Sequence, residues 1–174
     1  MTMIRLAAFS IAGWVVAGTA AFAHVTLESR EAPADSYAKL IFSVPHGCEG
    51  SPSVRVRVRI ADGVTGVKPQ PKPGWELATV KTKLEGSVAG SHGETITETI
   101  SEVSWSGGRL LDEHFDQFAM QVRLPKAEPG TVLYFPVVQE CEHGVTRWIE
   151  IPDAGKPDHL KEPAPALRLT PKPN

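Results

Sequence analysis

The sequence is poor in several features that mark common classes of protein. Beyond its N-terminal segment it has no apolar run of the roughly 20 residues that a membrane-spanning helix needs. Its charges nearly balance, with 18 Lys and Arg against 20 Asp and Glu, so neither nucleic acid nor an anionic membrane is expected as a partner. It has six Phe, four Trp and two Tyr, and no aromatic platform for sugars is evident among them.

The common catalytic motifs are also missing. The sequence contains no G-x-S-x-G nucleophile elbow, no phosphate-binding loop, no H-E-x-x-H zinc motif and no dinucleotide-binding fingerprint. No other pattern points to a pair of catalytic carboxylates. The sequence therefore favours a binding protein over an enzyme.

The N-terminal segment has the pattern of a cleavable export signal. Arg5 precedes an apolar run over residues 6–20, and the segment closes on Ala21-Phe22-Ala23, a small-x-small sequence that signal peptidase accepts. We expect cleavage directly after this sequence, which removes residues 1–23 as a signal peptide. The mature protein is then predicted to be a single periplasmic domain of residues 24–174 with no membrane span.

Cleavage at this point would make His24 the first residue of the mature protein. Its free α-amine and its imidazole can close a chelate ring on one metal ion, which an internal histidine cannot do because its backbone nitrogen is an amide. Cu(II) prefers tetragonal nitrogen and oxygen donors and leads the affinity order of the divalent first-row metals. The amine has a pKa of about 8 when free, so copper must displace a proton from it. The sequence therefore predicts a Cu(II) site at the mature N-terminus.

A further ligand is expected from an acidic loop in the second half of the chain. This loop contains Asp112, Glu113, His114 and Asp116. One imidazole or carboxylate from it, together with the two nitrogens of His24, would give three donors around the copper ion. The other interpretation of the loop is a solvated acidic turn that binds nothing.

The two cysteines, Cys48 and Cys141, both lie in the exported part. A disulfide is the ordinary outcome for two cysteines in an oxidising compartment. Because the sequence also reads His46-Gly47-Cys48 and Cys141-Glu142-His143, a tetrahedral Cys₂His₂ metal site is an alternative. Free thiols are the third possibility.

Short apolar runs separated by proline and glycine predict β-strands. In residues 54–60, Val and Ile alternate with Arg, which is typical of a strand with one buried and one exposed face. About seven to nine short strands at this spacing predict an antiparallel β-sandwich. The predicted strands are Tyr37–Val44, Val54–Ile60, Trp75–Leu84, Thr95–Trp105, Phe118–Leu124, Thr131–Gln139 and Val145–Ile151.

Three other segments have weaker patterns. Ser106–Gly108 is predicted to be a turn, and Asp112–Gln117 is the strongest helical candidate, although a turn fits it equally well. The proline-rich residues 156–174 are expected to end as an extended edge strand or a tail. No internal repeat and no domain boundary are visible in the sequence.

Four motifs give the chain a resemblance to a known family. They are PHGCEGSP at Pro45–Pro52, VKPQPKPGW at Val67–Trp75, VSWSGG at Val103–Gly108 and FPVVQ at Phe135–Gln139. Through them the chain resembles the YcnI-like family of exported copper-binding domains, from His24 to about Pro171.

The resemblance implies an immunoglobulin-like β-sandwich and a Cu(II) site, a histidine brace, built on the N-terminal histidine. In the family that histidine is joined by one glutamate, and a tryptophan lies close to the metal. The N-terminal ligand corresponds to His24, and the tryptophan corresponds to Trp148, which is followed by Ile149 and Glu150.

The position of the family's glutamate is where this chain departs from the pattern. In the family that glutamate is followed directly by an aromatic residue, and by another three residues later. Phe115 and Phe118 fit this spacing, which places His114 at the ligand position and Glu113 one residue before it. We favour His114 as the ligand and keep Glu113 as the alternative.

The resemblance also implies a role in copper homeostasis. The chain is then expected to chaperone or buffer Cu(II) in the periplasm, and to exchange it with other periplasmic copper chaperones or with membrane copper transporters. Two other functions are compatible with the sequence. One is a copper-dependent oxidase of the brace type, and the other is an immunoglobulin-like interaction module that binds no metal.

Overall fold

The computed structural model describes residues 24–90, 93–153 and 160–172. These residues form twelve β-strands and no helix, so the prediction of an all-β chain is confirmed. The strands are β1 (Thr26–Leu27), β2 (Glu31–Pro33), β3 (Tyr37–Val44), β4 (Ser53–Arg59), β5 (Thr65–Pro69), β6 (Glu76–Ala89), β7 (Thr95–Leu110), β8 (Asp116–Arg123), β9 (Val132–Tyr134), β10 (Val137–Cys141), β11 (Val145–Trp148) and β12 (Ala166–Thr170).

The strands form three sheets around one core. Their orders are β1-β3-β8-β5, β11-β10-β4-β7-β6 and β2-β12-β9. Neighbouring strands are antiparallel, as predicted, with one exception: β12 runs parallel to β2. The two larger sheets form the faces of the sandwich, and the third adds Leu133, Leu167 and Leu169 to the same core.

The period-two patterns explain why these strands form. In β4, Val56 and Val58 are fully buried, while Arg55 and Arg57 point outward and form ion pairs with Glu140 of β10. Such alternation lets a strand cover the core on one face and meet water on the other. Burial of the apolar faces is the main stabilising contribution to this fold, at roughly 25 cal/mol per Å² of apolar surface.

One expectation about the middle of the chain is wrong, and another is decided between its two alternatives. Ser106–Gly108 is not a turn but part of β7, where extra residues bulge out opposite β4. Gly107 has a φ of 79°, and a Cβ at Gly108 would collide with the indole of Trp75, so this bulge requires its glycines. At Asp112–Gln117 the turn, one of the two predicted alternatives, is confirmed and the helix is not formed, because β8 already begins at Asp116.

The end of the chain also differs from expectation. The run Thr131–Gln139 is divided into β9 and β10 at Pro136, which has no N–H to donate to a neighbouring strand. Ala166–Thr170 is the central strand of its sheet, rather than an edge strand or a tail, because Leu167 and Leu169 are both fully buried.

Two expectations concern parts of the chain that the structure leaves undescribed. The predicted signal peptide, residues 1–23, lies outside the described residues. Within the described ranges, no helix is long and apolar enough to cross a membrane. The expected domain limits, 24–174, stay a prediction.

Candidate metal site

The imidazole of His24 packs against the indole of Trp148. Their ring centroids are 5.4 Å apart, and the ring planes are tilted by 57°. His24 is half-buried and stands two residues before β1, whereas Trp148 ends β11 in the opposite sheet and is only 3 % exposed. The structure thus brings together the two residues that the resemblance singled out, at one end of the sandwich.

The indole of Trp148 is held by a hydrogen bond as well as by packing. Its Nε1–H donates to Oε1 of Gln139 at 3.1 Å, in the buried interior. A buried indole N–H without a partner would cost free energy, so this bond favours one ring orientation. Sequence reasoning did not select Gln139, although a polar residue among the alternating apolar positions of β10 was a signal that could have found it.

Glu113 and His114 lie in the exposed turn before β8. Their side chains are 77 % and 60 % exposed, with His114 Nε2 at 3.7 Å from Glu113 Oε1. The turn is closed by the backbone N–H of His114, which donates to the carbonyl of Leu111 at 3.1 Å. Both side chains are therefore accessible to a metal ion, and neither is held in a buried hydrogen-bond network.

Strand order and register place this turn and His24 at the same end of the strands of their sheet. β1 and β8 both pair antiparallel with β3, so they run parallel to each other on either side of it. Thr26 lies opposite Ser43, and Ser43 lies opposite Gln117. His24 precedes Thr26 by two residues, and the turn directly precedes β8. Both segments therefore approach the sandwich from the same end.

The distance between these two segments can be bridged by side chains. Adjacent strands are about 4.8 Å apart, so the backbones of β1 and β8 are separated by about 10 Å. Near this end of the strands, Gln117 Nε2 donates to Glu28 Oε2 at 3.1 Å and lies 3.4 Å from Ser43 Oγ. A side chain from β8 therefore reaches the residue that follows β1, across β3.

The other two acidic residues of the predicted loop have structural partners. Asp116 Oδ1 accepts hydrogen bonds from Lys72 Nζ at 2.7 Å and from the backbone N–H of Gln117 at 2.8 Å. Oδ1 of Asp112 packs against Gly47, 3.1 Å from where a Cβ on that glycine would lie. The predicted loop is therefore divided: Asp112 and Asp116 pack against the rest of the chain, whereas Glu113 and His114 present largely exposed polar side chains to solvent.

The residues expected at the metal site are not preassembled around an ion. Among the described residues, no group of three or more His, Cys, Asp or Glu side chains is arranged to hold a metal ion. A brace needs fewer side chains than that, because the α-amine and imidazole of one residue supply two of its donors. His24 with one residue of the 113–114 turn would then suffice, and imidazole nitrogen suits Cu(II).

The two cysteines form a disulfide. Cys48 and Cys141 are bonded, with Cα atoms 6.0 Å apart, as the first of the three sequence interpretations predicts. A disulfide sulfur is not a thiolate, so the alternative Cys₂His₂ site is wrong. Nδ1 of His46 lies 2.6 Å from the Gly47 carbonyl, and His143 is exposed.

The remaining aromatic and histidine residues have clear positions. Phe115 is 71 % exposed beside the turn, while Phe118 is buried and its ring contacts those of Trp75 and Trp105. Trp105 is fully buried in the core, and the half-buried Trp75 packs against that core. His92 and His159 lie outside the described residues.

A solved structure with a similar fold supports the classification of this sandwich. It is the crystal structure of an uncharacterized protein from Nocardia farcinica, which has an immunoglobulin-like fold. It is 23 % identical in sequence, with a TM-score of 0.63 over 84 % of this chain and 98 % of the other. The predicted immunoglobulin-like β-sandwich is confirmed.

The search of curated proteins finds no match to this sequence. A family profile, described as a domain of unknown function (DUF1775), matches residues 24–169. The match begins at His24 and includes Trp148, both cysteines and the 113–114 turn. The chain therefore belongs to the DUF1775 family.

Proposed function

We propose that this protein is an exported Cu(II)-binding protein that buffers or chaperones copper in the periplasm. The observation that carries the proposal is the placement of His24 against Trp148 at one end of the sandwich. Both residues are those that the resemblance to YcnI-like domains implies at a copper site. Export and cleavage after residue 23 are part of the proposal, because the α-amine exists only after cleavage.

In this proposal the copper cargo binds the α-amine and imidazole of His24. The third donor is His114, or Glu113 in its place. Two observations support a ligand from this turn. The turn lies at the same end of the strands as His24, and the side chains of Glu113 and His114 are exposed. Because the turn is accessible and lacks buried bonds, it can adjust when copper arrives.

The indole of Trp148 has a different part in the proposal. It covers one side of the His24 imidazole and leaves fewer directions from which another ligand could reach the copper. A site at a chain terminus and at the surface suits transfer, because a partner can approach it directly. Periplasmic copper chaperones and membrane copper transporters are the partners that we propose.

The proposal depends on the free amine, and this dependence gives its test. Protein whose first residue is confirmed as His24 by mass spectrometry would be titrated with Cu(II) and followed by EPR and calorimetry. We expect one equivalent to bind with a single axial signal that carries nitrogen hyperfine structure. A matched variant with one alanine added before His24 keeps the imidazole but loses the chelating amine, and it should not bind tightly.

Two results would contradict the proposal. Equal affinity in the extended variant would show that the amine is not a ligand. Weak and heterogeneous copper in the protein with authentic His24 would favour a metal-free interaction module. If the copper-loaded protein oxidised substrates and His24→Ala did not, an oxidase would replace the proposed chaperone.

A further inference from the structure

Gln139 is a fully buried polar residue on an otherwise apolar strand face. Val137 and Cys141, its neighbours on that face of β10, are also buried. A buried amide is costly unless both of its ends are hydrogen-bonded. Its Nε2 donates to the carbonyl of His46 at 2.6 Å and to Oγ of Ser53 at 2.7 Å. Its Oε1 accepts the indole N–H of Trp148, so the whole amide is satisfied.

These partners allow only one orientation of the amide. If the group were rotated by half a turn, Nε2 would face the indole N–H, and two donors would oppose each other. Oε1 would then face the carbonyl oxygen of His46, and two acceptors would oppose each other. The carbonyl of His46 thus fixes the amide, and the amide in turn fixes the indole of Trp148.

The backbone that holds this network is itself anchored. His46 and Ser53 lie on either side of Cys48, whose disulfide to Cys141 ties this segment to the end of β10. Cys48 and Ser51 exchange two backbone hydrogen bonds of 2.9 Å, and Ser53 Oγ lies 3.7 Å from Cys141 Sγ. The two acceptors of the Gln139 amide, the His46 carbonyl and Ser53 Oγ, therefore belong to a segment held by a disulfide and by backbone hydrogen bonds.

We propose that Gln139 is a positioning residue for the N-terminal histidine. By holding the indole of Trp148 in one orientation, it determines the surface against which the His24 imidazole rests. The effect of Gln139 on copper affinity rests on the proposed function. The effect on the position of the imidazole does not, because it rests on the contact between the two rings.

The first test uses the metal-free protein that begins at His24. Gln139→Met keeps the length of the side chain but removes all three hydrogen bonds. NMR would follow the indole N–H of Trp148 and the ring protons of His24, which the indole ring current shifts. We expect faster hydrogen exchange at the indole and His24 shifts that move toward those of an exposed histidine. Unchanged His24 shifts in folded Gln139→Met would overturn the proposal.

Two controls separate positioning from loss of stability. Gln121→Met makes the same chemical change at an exposed position of β8, and it should leave both signals unchanged. Val103→Ala opens space in the core without touching the network, and it should lower stability while the His24 shifts stay in place. A His24 shift in Val103→Ala equal to that in Gln139→Met would show a merely structural role and overturn the proposal.

A milder variant keeps the proposal testable if Gln139→Met does not fold. Ser53→Ala removes one of the two bonds that Nε2 donates and leaves the bond to His46. We expect a smaller change of the same sign in the His24 shifts, and no change would count against the proposal.

Copper binding gives the second readout. With copper, Gln139→Met should bind on the order of tenfold more weakly, as when supporting contacts of a metal ligand are lost. If the wild type binds no copper while the NMR changes occur, the proposed function fails and the positioning role stands.

Discussion

The imidazole of His24 lies against the indole of Trp148 with the ring centroids 5.4 Å apart, and the two rings come from segments of opposite sheets. Because the contact is formed across the end of the sandwich, it requires both sheets to be correctly packed. The N-terminal residue of the predicted mature protein is thereby fixed beside a rigid, buried indole. Four predictions follow from this arrangement and from the contacts that support the fold.

The third ligand can be identified by paired substitutions in the 113–114 turn. We expect His114→Ala to weaken Cu(II) binding about tenfold or more and to remove one nitrogen from the EPR hyperfine pattern, since an imidazole is lost. Glu113→Gln should leave the affinity within about twofold, because in this assignment Glu113 is not a ligand and only one exposed side chain changes. The opposite result would assign the ligand to Glu113.

Copper affinity should fall as the pH is lowered from about 9 to about 6. The free α-amine has a pKa of about 8, so below that pH a proton competes with copper, and the affinity falls by up to about tenfold per pH unit from this group alone. Calorimetry at a series of pH values in two buffers of different ionisation enthalpy would count the protons released. The variant with an alanine before His24 should lack this release, and an identical proton count in both proteins would contradict the prediction.

Removal of the disulfide should destabilise the fold. The bond joins residues 93 positions apart, and a loop of this length is worth about 4–5 kcal/mol in the chain-entropy account. The double variant Cys48→Ala, Cys141→Ala should lose about that much free energy of unfolding in urea. Reductant should destabilise the wild type but have no further effect on the double variant. Equal stability of the oxidised wild type and the double variant would show that the bond adds nothing.

An exposed carboxylate should make stability depend on pH in acid. The pKa of Asp35 lies below its ordinary value of 3.8, first because Lys172 donates a hydrogen bond to it and also because of the charges of Lys172 and Arg123. A pKa that is lower in the folded than in the unfolded state adds stability above pH 3.8. This stability is lost as the pH falls through the folded-state pKa of Asp35. Asp35→Asn should therefore destabilise the protein at pH 7, and this difference should shrink as the pH falls below 3.8. Urea denaturation over a series of pH values from 7 into acid would measure it, and a difference that stayed constant in acid would contradict the assignment.

Much of the fold could be predicted from the sequence because the signals are local. Alternation of Val with Arg in residues 54–60 follows from the two-residue period of a strand, and the observed β4 covers Ser53–Arg59. The predicted limits of Tyr37–Val44 are those observed for β3. The local pattern was misleading at Ser106–Gly108, where a turn was predicted and a bulge is observed. Glycine is common in turns and in bulges because both can require a positive φ, as at Gly107.

The candidate site could be predicted only in part. His24 and Trp148 were selected from the cleavage pattern and the family resemblance, and a single sequence cannot state that their rings meet. Gln139 was missed because local sequence does not reveal which polar residue will face a buried indole. The partner of Asp116 was missed for the same reason, since Lys72 reaches it from a distant turn.

The sequence by itself determined the all-β class, most strand positions and the two cysteines available for a disulfide, because period-two burial and residue chemistry are properties of short segments. Only the tertiary structure decided which segments meet: the sheet orders, the central place of β12, and the contacts His24–Trp148 and Trp148–Gln139. The physical reason is that these contacts depend on strand register and sheet packing. Register and packing are determined by many distant side chains acting together rather than by any one segment.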